Sequence, residues 1–440
     1  MHAPNSLLRT LAPWPVAAAL ALAGCASATS PPTAPQDAPP TASIAAPHSS
    51  ALTAPSTPAD PHADPHAAEF SDWRAAFARQ ALAAGIRPDT VRNVLGQAQW
   101  LPRVVELDRA QPEFTRPPWA YLDSAASPQR IANGQAQRAE HQAALDAAAA
   151  RYGVPAPVLT AIWGLESNYG QNFGSFRTVD ALATLAHEGR RRAWAQGELL
   201  AALRIVDQDH IGADRMVGSL AGAMGHTQFM PTVFLAYAVD ADGDGQRDIW
   251  GSIPDVAAST AHFLARSGWR SGEPWGAEVR LPAGFDYTRA ELSVRQGAAQ
   301  WAAEGVKAVE GQTLPTLAEA SILAPAGARG PAFLVGPNFR TLLRYNNAVN
   351  YALGVALLAQ QIDGGPGVVA AWPRDLQPLS REQVHTLQTA LNERGFDTGK
   401  PDGVAGPATR AGLRRYQQSV GVVADGYPTL ELLERLTAQP

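Results

Sequence analysis

Short apolar runs at three- and four-residue spacing, cut again and again by glycine and proline, fill the chain from Phe70 to Ile362. That rhythm admits short amphipathic helices and almost nothing else. Phe70, Trp73, Phe77 and Leu82 share a helical spacing, and Gly85 with Pro88 ends the run. The same period predicts helices over 136–151, 157–168, 181–186, 197–208 and 255–267. Strand-like tracts are confined to 278–281 and 331–335. The sequence therefore predicts a mainly α domain with few short strands and long loops. No self-similarity at solenoid periods is present.

The flanks are built differently. Residues 26–67 are almost entirely Ala, Pro, Ser and Thr, a composition that cannot bury a core and reads as an extended tether, with His62 and His66 as solvated linker residues. A second break, Asp363-Gly364-Gly365-Pro366-Gly367 followed by Trp372-Pro373, marks a linker over 363–378. Beyond it, Val384, Leu387 and Leu391, then Leu413, Tyr416 and Val420, then Leu430, Leu433 and Leu436 outline a small three-helix C-terminal domain over 379–440. The main domain lies between, over 68–362. A chain of 440 residues is long enough for such a division.

Net charge is −5, and the longest basic run is Arg190-Arg191-Arg192, which reads as a solvated face. Nucleic acid is thus excluded as a partner, since phosphate binding needs clustered Lys and Arg. Cys25 is the single cysteine. It follows Arg9, an apolar stretch over 11–23, and Leu22-Ala23-Gly24, the layout of a secretory signal over 1–24. The stretch is shorter than the roughly 20 residues that span a bilayer. Leu22-Ala23-Gly24-Cys25 resembles the bacterial lipobox, which implies lipidation of Cys25. Ala26 in the next position implies, by the same resemblance, the periplasmic face of the outer membrane of a Gram-negative bacterium.

Two segments carry the chemistry. Ile162-Trp163-Gly164-Leu165-Glu166-Ser167-Asn168-Tyr169-Gly170 runs an apolar helix into one carboxylate and then stops. A Glu among Ile162, Trp163 and Leu165 is desolvated, which raises its pKa and suits a general acid. Ser219-Leu220-Ala221-Gly222-Ala223-Met224-Gly225-His226-Thr227-Gln228-Phe229-Met230-Pro231 follows, with small residues that let backbone approach a ligand. Gln228 can hydrogen-bond a sugar amide while Phe229 offers an aromatic face.

Together these blocks, with Arg344-Tyr345-Asn346-Asn347 and Tyr351-Ala352-Leu353, resemble the membrane-bound lytic transglycosylase B family over roughly residues 70–362. The resemblance implies a lysozyme-like α+β catalytic domain that cleaves the MurNAc–GlcNAc bond of peptidoglycan in cell-wall turnover, leaving 1,6-anhydro ends. It implies Glu166 as acid/base and Ser219 and Gln228 as groups that orient acetamido substituents. Phe229, Tyr169, Met224, Tyr345, Asn346, Tyr351 and Phe263 would complete the substrate site. The sequence departs from the family at Ala261-His262-Phe263-Leu264, where a tyrosine is usual at position 263. No second acidic residue lies in the three motifs, so the substrate's own 2-acetamido oxygen would serve as nucleophile. A hydrolytic muramidase and a non-catalytic wall-binding lipoprotein are the competing readings.

Asp240-Ala241-Asp242-Gly243-Asp244-Gly245-Gln246 has the alternating oxygens and central glycine of a calcium loop. Gly251 stands at the twelfth position, so Asp255 would close a longer loop around a structural Ca²⁺; no cofactor is required for the chemistry. Asp402-Gly403-Val404-Ala405-Gly406-Pro407-Ala408-Thr409-Arg410, with Leu387-Gln388 before and Asp425-Gly426-Tyr427 after, resembles a peptidoglycan-binding module. The implied partners are the peptidoglycan polymer and a lipid bilayer, with a monomeric enzyme between them.

Overall fold

A computed structural model describes residues 65–109, 116–208 and 210–438. The signal, Cys25 and nearly all of the tether lie outside the described residues. The helix Pro65–Ala83 already includes His66, whose ring stacks on Trp100 at 5.2 Å, so His66 is a packed surface residue and not part of the linker. Phe70 and Phe77 are buried and flank Trp73 at 5.5 and 5.2 Å. Leu82 does not join them; it is exposed, and Ala81 takes the buried place. The reason is angular, since each residue turns a helix by about 100° and position 81, not 82, returns to the face of Phe70 and Phe77.

The helices foreseen by periodicity form, with one split. Pro128–Glu140 and Gln142–Tyr152 stand where one continuous run over 136–151 was read, separated at His141, whose ψ of 25° leaves the helix. Ala156–Ser167, Thr178–Glu188, Arg192–Asp207 and Ile253–Arg266 follow. Two late helices, Pro337–Tyr345 and Val349–Ile362, close the domain. Val349–Ile362 packs on Ala156–Ser167 and on the short helix Pro118–Ala125. Its Leu353, Val355 and Leu358 are fully buried in the main core. Each such side chain contributes about 1.5–3 kcal/mol.

A four-stranded antiparallel sheet forms a second, separate core. Its spatial order is Lys307–Ala308, Gly276–Arg280, Ala332–Val335, Ser321–Leu323. Leu334 lies opposite Ala277 on one side and Ile322 on the other. Val279, Ile322, Leu334 and the fully buried Trp301 fill this core, and the Trp301 indole donates to the Ala320 carbonyl at 3.2 Å. The two tracts read as strands are the sheet's central pair. The outer two are only two and three residues long, too short to show a period. The domain is mainly α with few short strands, as its sequence rhythm requires.

Arg381–Glu393, Pro407–Ser419 and Leu430–Ala438 make the C-terminal bundle around Leu387, Leu391, Leu413 and Leu436. Its first helix opens on a reciprocal cap between Ser380 and Gln383. Buried Gln388 accepts from the Asp402 and Gly403 amides at 2.9 Å each, and Gln417 accepts from Gly426 at 2.7 Å. Each glutamine thus shapes one Asp-Gly turn. Among the described residues, no helix is long and apolar enough to cross a membrane.

Candidate active site

The helix Ala156–Ser167 opens with Pro155 as its cap and Pro157 in its first turn, where a missing N–H costs nothing. It ends in three successive left-handed residues, Asn168 (φ 49°), Tyr169 (φ 58°) and Gly170 (φ 82°). Two non-glycine residues in that region are a strained ending that neighbouring contacts must hold. Asn168 N–H donates to the Gly164 carbonyl at 3.2 Å and Gly170 N–H to Ser167 Oγ at 3.1 Å. Tyr169 folds back across the helix and donates its hydroxyl to the Arg130 carbonyl at 2.8 Å. Gly164 makes this possible, since a Cβ there would lie 2.5 Å from the Tyr169 ring.

Glu166 sits on the last turn, partly buried. Its Oε1 accepts from the Tyr351 hydroxyl at 2.5 Å. Burial pushes its pKa up to about 7, while the Tyr351 hydrogen bond pulls the other way. No second carboxylate among the described residues acts on it. Tyr345 stacks nearly parallel on Tyr351 at 6.4 Å and donates to the Thr227 carbonyl at 2.6 Å. Burial first, then the Glu166 charge, holds both phenols well above their ordinary range. Phe263 stands behind this pair, edge-on to Tyr237 and Tyr345 at 5.0 Å each.

The glycine-rich loop supplies the facing wall. Ser219 Oγ accepts from the Ala221 and Ala223 amides at 3.3 and 3.1 Å, which leaves its hydroxyl proton free to donate. Gln228 is held at φ 48°, and its amide nitrogen donates to the Phe173 and Gly225 carbonyls at 3.1 and 3.0 Å. The remaining oxygen is an acceptor. Asn346 follows the helix Pro337–Tyr345, and its side chain has no hydrogen bond among the described residues. Met224, Phe229 and Tyr169, which the resemblance put in contact with substrate, are buried at 0, 2 and 6% exposure. Met224 and Phe229 pack in the main core and shape the wall from behind, while Tyr169 is as buried as Tyr351.

Two groups were not legible in the motifs. His226 accepts from the Trp163 indole at 2.6 Å through Nδ1 and reaches the Trp250 carbonyl at 3.1 Å through Nε2. Its carbonyl accepts from Ser167 Oγ at 3.0 Å. Those partners require the neutral ring with its proton on Nε2, and burial pushes the pKa down to about 4. His226 therefore ties the glycine-rich loop to the Glu166 helix. The one sequence hint is Gly170, where a Cβ would lie 2.2 Å from the His226 ring. Tyr121, on Pro118–Ala125, is the other group. Burial, then the Glu166 charge, pushes its phenol up to about 12. One aromatic among Trp119, Tyr121 and Leu122 has no signature that separates it from core.

The acidic loop gathers Asp240, Asp242 and Asp244, one oxygen from each lying within 4.8 Å of the others. A set of hard carboxylate oxygens fits a calcium-like cation. Asp255 is not in this set. It is fully buried, and its two oxygens accept from Ala241 N–H and Asp248 N–H at 2.7 Å each, bracing the loop from within. Gln246 is exposed and contributes its N–H to Asp244 Oδ1 at 2.7 Å.

Residues 69–360 match the family described as "Transglycosylase SLT domain", and residues 380–436 match "Putative peptidoglycan binding domain". The chain is 33% identical over 294 residues to Membrane-bound lytic murein transglycosylase B of Escherichia coli (strain K12), covering 63% of this chain and 79% of that one. It is similar to SltB3 from Pseudomonas aeruginosa in complex with NAG-anhNAM-pentapeptide, with 52% identity and a TM-score of 0.81 over 84% of this chain and 99% of that one. It also resembles the Escherichia coli lytic transglycosylase Slt35 in complex with calcium, at 30% identity and a TM-score of 0.56, covering 68% and 93%.

Proposed function

This chain belongs to the transglycosylase SLT family and is a peptidoglycan lytic transglycosylase, and on that premise we propose that Glu166 is its single acid/base, acting first as acid and then as base. The observation that carries the reading is one carboxylate, hydrogen-bonded to Tyr351 and with its pKa pushed up by burial to about 7, on which no second carboxylate among the described residues acts. Protonated Glu166 donates to the glycosidic oxygen between MurNAc and GlcNAc while the MurNAc 2-acetamido oxygen attacks C1. The resulting carboxylate takes the proton of the C6 hydroxyl. O6 then closes on C1, the acetamido oxygen leaves, and a 1,6-anhydro end forms without water.

The remaining roles follow from free hydrogen-bonding capacity. Gln228 Oε1 accepts from the acetamido N–H, the Ser219 hydroxyl donates to a sugar oxygen, and the Asn346 amide serves the same glycan. Tyr351 and Tyr345 form the wall beside C1. Phe263 keeps that wall packed without adding a hydroxyl. The muropeptide named in the SltB3 complex supports this substrate class.

We read residues 68–362 as the catalytic unit, 363–378 as a linker and 379–440 as the polymer-binding unit. Residues 1–24 would be the signal, Cys25 the lipidated residue and the stretch from there up to the helix Pro65–Ala83 the tether, which holds a monomer at the periplasmic face of the outer membrane. The relative named as membrane-bound supports an envelope location. Asp240, Asp242 and Asp244 would hold Ca²⁺, whose contribution is to brace the loop; the calcium complex of Slt35 supports this. The test is digestion of purified sacculi and mass analysis of the products. Ends lighter by one water than reducing ends are expected, and reducing ends would overturn the mechanism.

A further inference from the structure

The linker is not a loose tether. Val369 N–H and Ala370 N–H both donate to the Glu278 carboxylate, at 2.7 Å each. Glu278 is 4% exposed, and its carboxylate oxygens accept from linker backbone alone among its described hydrogen bonds. Asp375 takes a two-pronged hydrogen bond from Arg329 at 2.8 and 2.9 Å. Between these anchors, Arg374 grips both oxygens of Asp123 at 2.6 and 2.9 Å, and Trp372 lies 6.4 Å from Trp119. Asp123 and Trp119 are on the helix Pro118–Ala125.

That helix has eight residues, too few to hold itself, and it packs on Val349–Ile362, the helix that carries Tyr351. Gly354 on Val349–Ile362 leaves room there. A Cβ at Gly354 would lie 3.2 Å from the Tyr121 ring and 3.5 Å from Leu165, the residue before Glu166. Tyr121 thus stands close to Leu165 and within reach of the Glu166 charge, while the outer face of its helix is held by the linker.

We propose that residues 366–375 form a strap that positions the helix Pro118–Ala125, and with it Tyr121, against the Glu166 groove, with Trp372 and Arg374 as positioning residues. The inference rests on the assignment of Glu166 above. Arg374 and Asp123 are both exposed, and exposed ion pairs add little to stability. Their loss leaves the fold intact and acts through placement, and misplacing a catalytic wall by an ångström costs up to about 100-fold in rate. The strap also runs straight into the C-terminal bundle, which is docked on the sheet unit through Glu291 to Arg414 at 2.8 Å and Asp425 to the Ala328 amide at 2.9 Å.

The test uses the full chain and short, soluble, peptide-free GlcNAc–MurNAc oligosaccharides, with binding to intact sacculi measured in parallel. Arg374→Asp should lower kcat/KM about 10-fold, mainly in kcat, with sacculus binding and thermal midpoint unchanged. Trp372→Ala should lower kcat similarly with sacculus binding unchanged, and should also lower the thermal midpoint because Trp372 packs on the main core. The alkaline limb of the pH–rate profile should move to lower pH as water reaches Glu166. Asp123→Arg should match Arg374→Asp, and the charge-swapped double variant should recover most of the loss. Unchanged kcat and pH limb, no recovery in the swapped pair, or a defect confined to sacculus binding would overturn the proposal. An inactive Glu166→Gln beside fully active strap variants sinks the strap alone; an active Glu166→Gln sinks the site and the strap together.

Discussion

Replacing Glu166 by Gln should do two things at once, and the second is the sharper. Loss of the proton donor should cost about 10²–10⁴-fold in rate. The same change should stabilise the folded protein at alkaline pH. Burial raises the Glu166 pKa from 4.5 to about 7, against the hydrogen bond from Tyr351. A raised carboxyl pKa means that the folded state holds its proton between those values while the unfolded state has released it. Stability therefore falls as pH rises through that window, and above pH 7 the full cost of the buried charge is present. At 1.36 kcal/mol for each pH unit, a rise from 4.5 to about 7 corresponds to about 3 kcal/mol. Glutamine keeps the shape and still accepts from Tyr351, but it carries no charge to bury. Denaturant unfolding of wild type and Glu166→Gln at pH 4 and pH 8.5 measures the difference directly. Near-equal stability is expected at pH 4 and a gain of about 3 kcal/mol for the variant at pH 8.5. Parallel pH dependences for the two proteins would show that Glu166 titrates as an ordinary surface carboxylate, and the acid/base argument would fail with it.

Other expectations follow from single contacts. Tyr351→Phe removes the hydroxyl that favours the Glu166 carboxylate, so the alkaline limb of the pH–rate profile should move up by roughly one pH unit; a limb that stays put or moves down contradicts the assignment. Gly170→Ala adds a Cβ 2.2 Å from the His226 ring at φ 82°, and urea unfolding should report a loss of about 2 kcal/mol or more. Millimolar Ca²⁺ should raise the thermal midpoint of wild type, by the equivalent of about 2.7 kcal/mol at 100 times the dissociation constant, and should leave Asp240→Asn unmoved. Equal responses from the two proteins would exclude the acidic loop as the ion's site.

What the chain disclosed in advance was whatever lies in one stretch of sequence. Glu166 ends an apolar helix, Ser219 and Gln228 share one glycine-rich loop, and the three helices of the C-terminal bundle each carry their own apolar period. Residues whose function depends on distant partners stayed hidden. Tyr121 reads as one more aromatic beside Trp119 and Leu122 until Gly354, far along the chain, leaves space for its ring. His226 sits inside a recognised motif, yet its work is done by hydrogen bonds to Trp163 and Trp250 on separate elements. Spacing also misplaced atoms it could count. Asp255 is the residue expected to close a longer metal loop from beyond Gly251, but its buried oxygens accept from two backbone amides. Met224 and Phe229 lie in the motif expected to bind sugar and still face the core.

The balance at Glu166 is what the proposed acid-then-base role of one carboxylate requires. A residue with an ordinary pKa of 4.5 would be protonated in only about 0.3% of molecules at pH 7 and would be a poor acid. Burial without a hydrogen-bond donor would err in the other direction, since the base formed after the first step would be too costly to create. Desolvation and the Tyr351 hydroxyl oppose each other, and their sum lies near 7. There the proton is given up and taken back with comparable ease. Tyr351 is in turn held by its stacked neighbour Tyr345, which is tied to Thr227 on the loop that carries Gln228. The groups that set the acidity of Glu166 and those proposed to orient the sugar therefore form one connected wall. A shift of that wall moves rate and pH dependence together, which a defect in polymer binding alone cannot do.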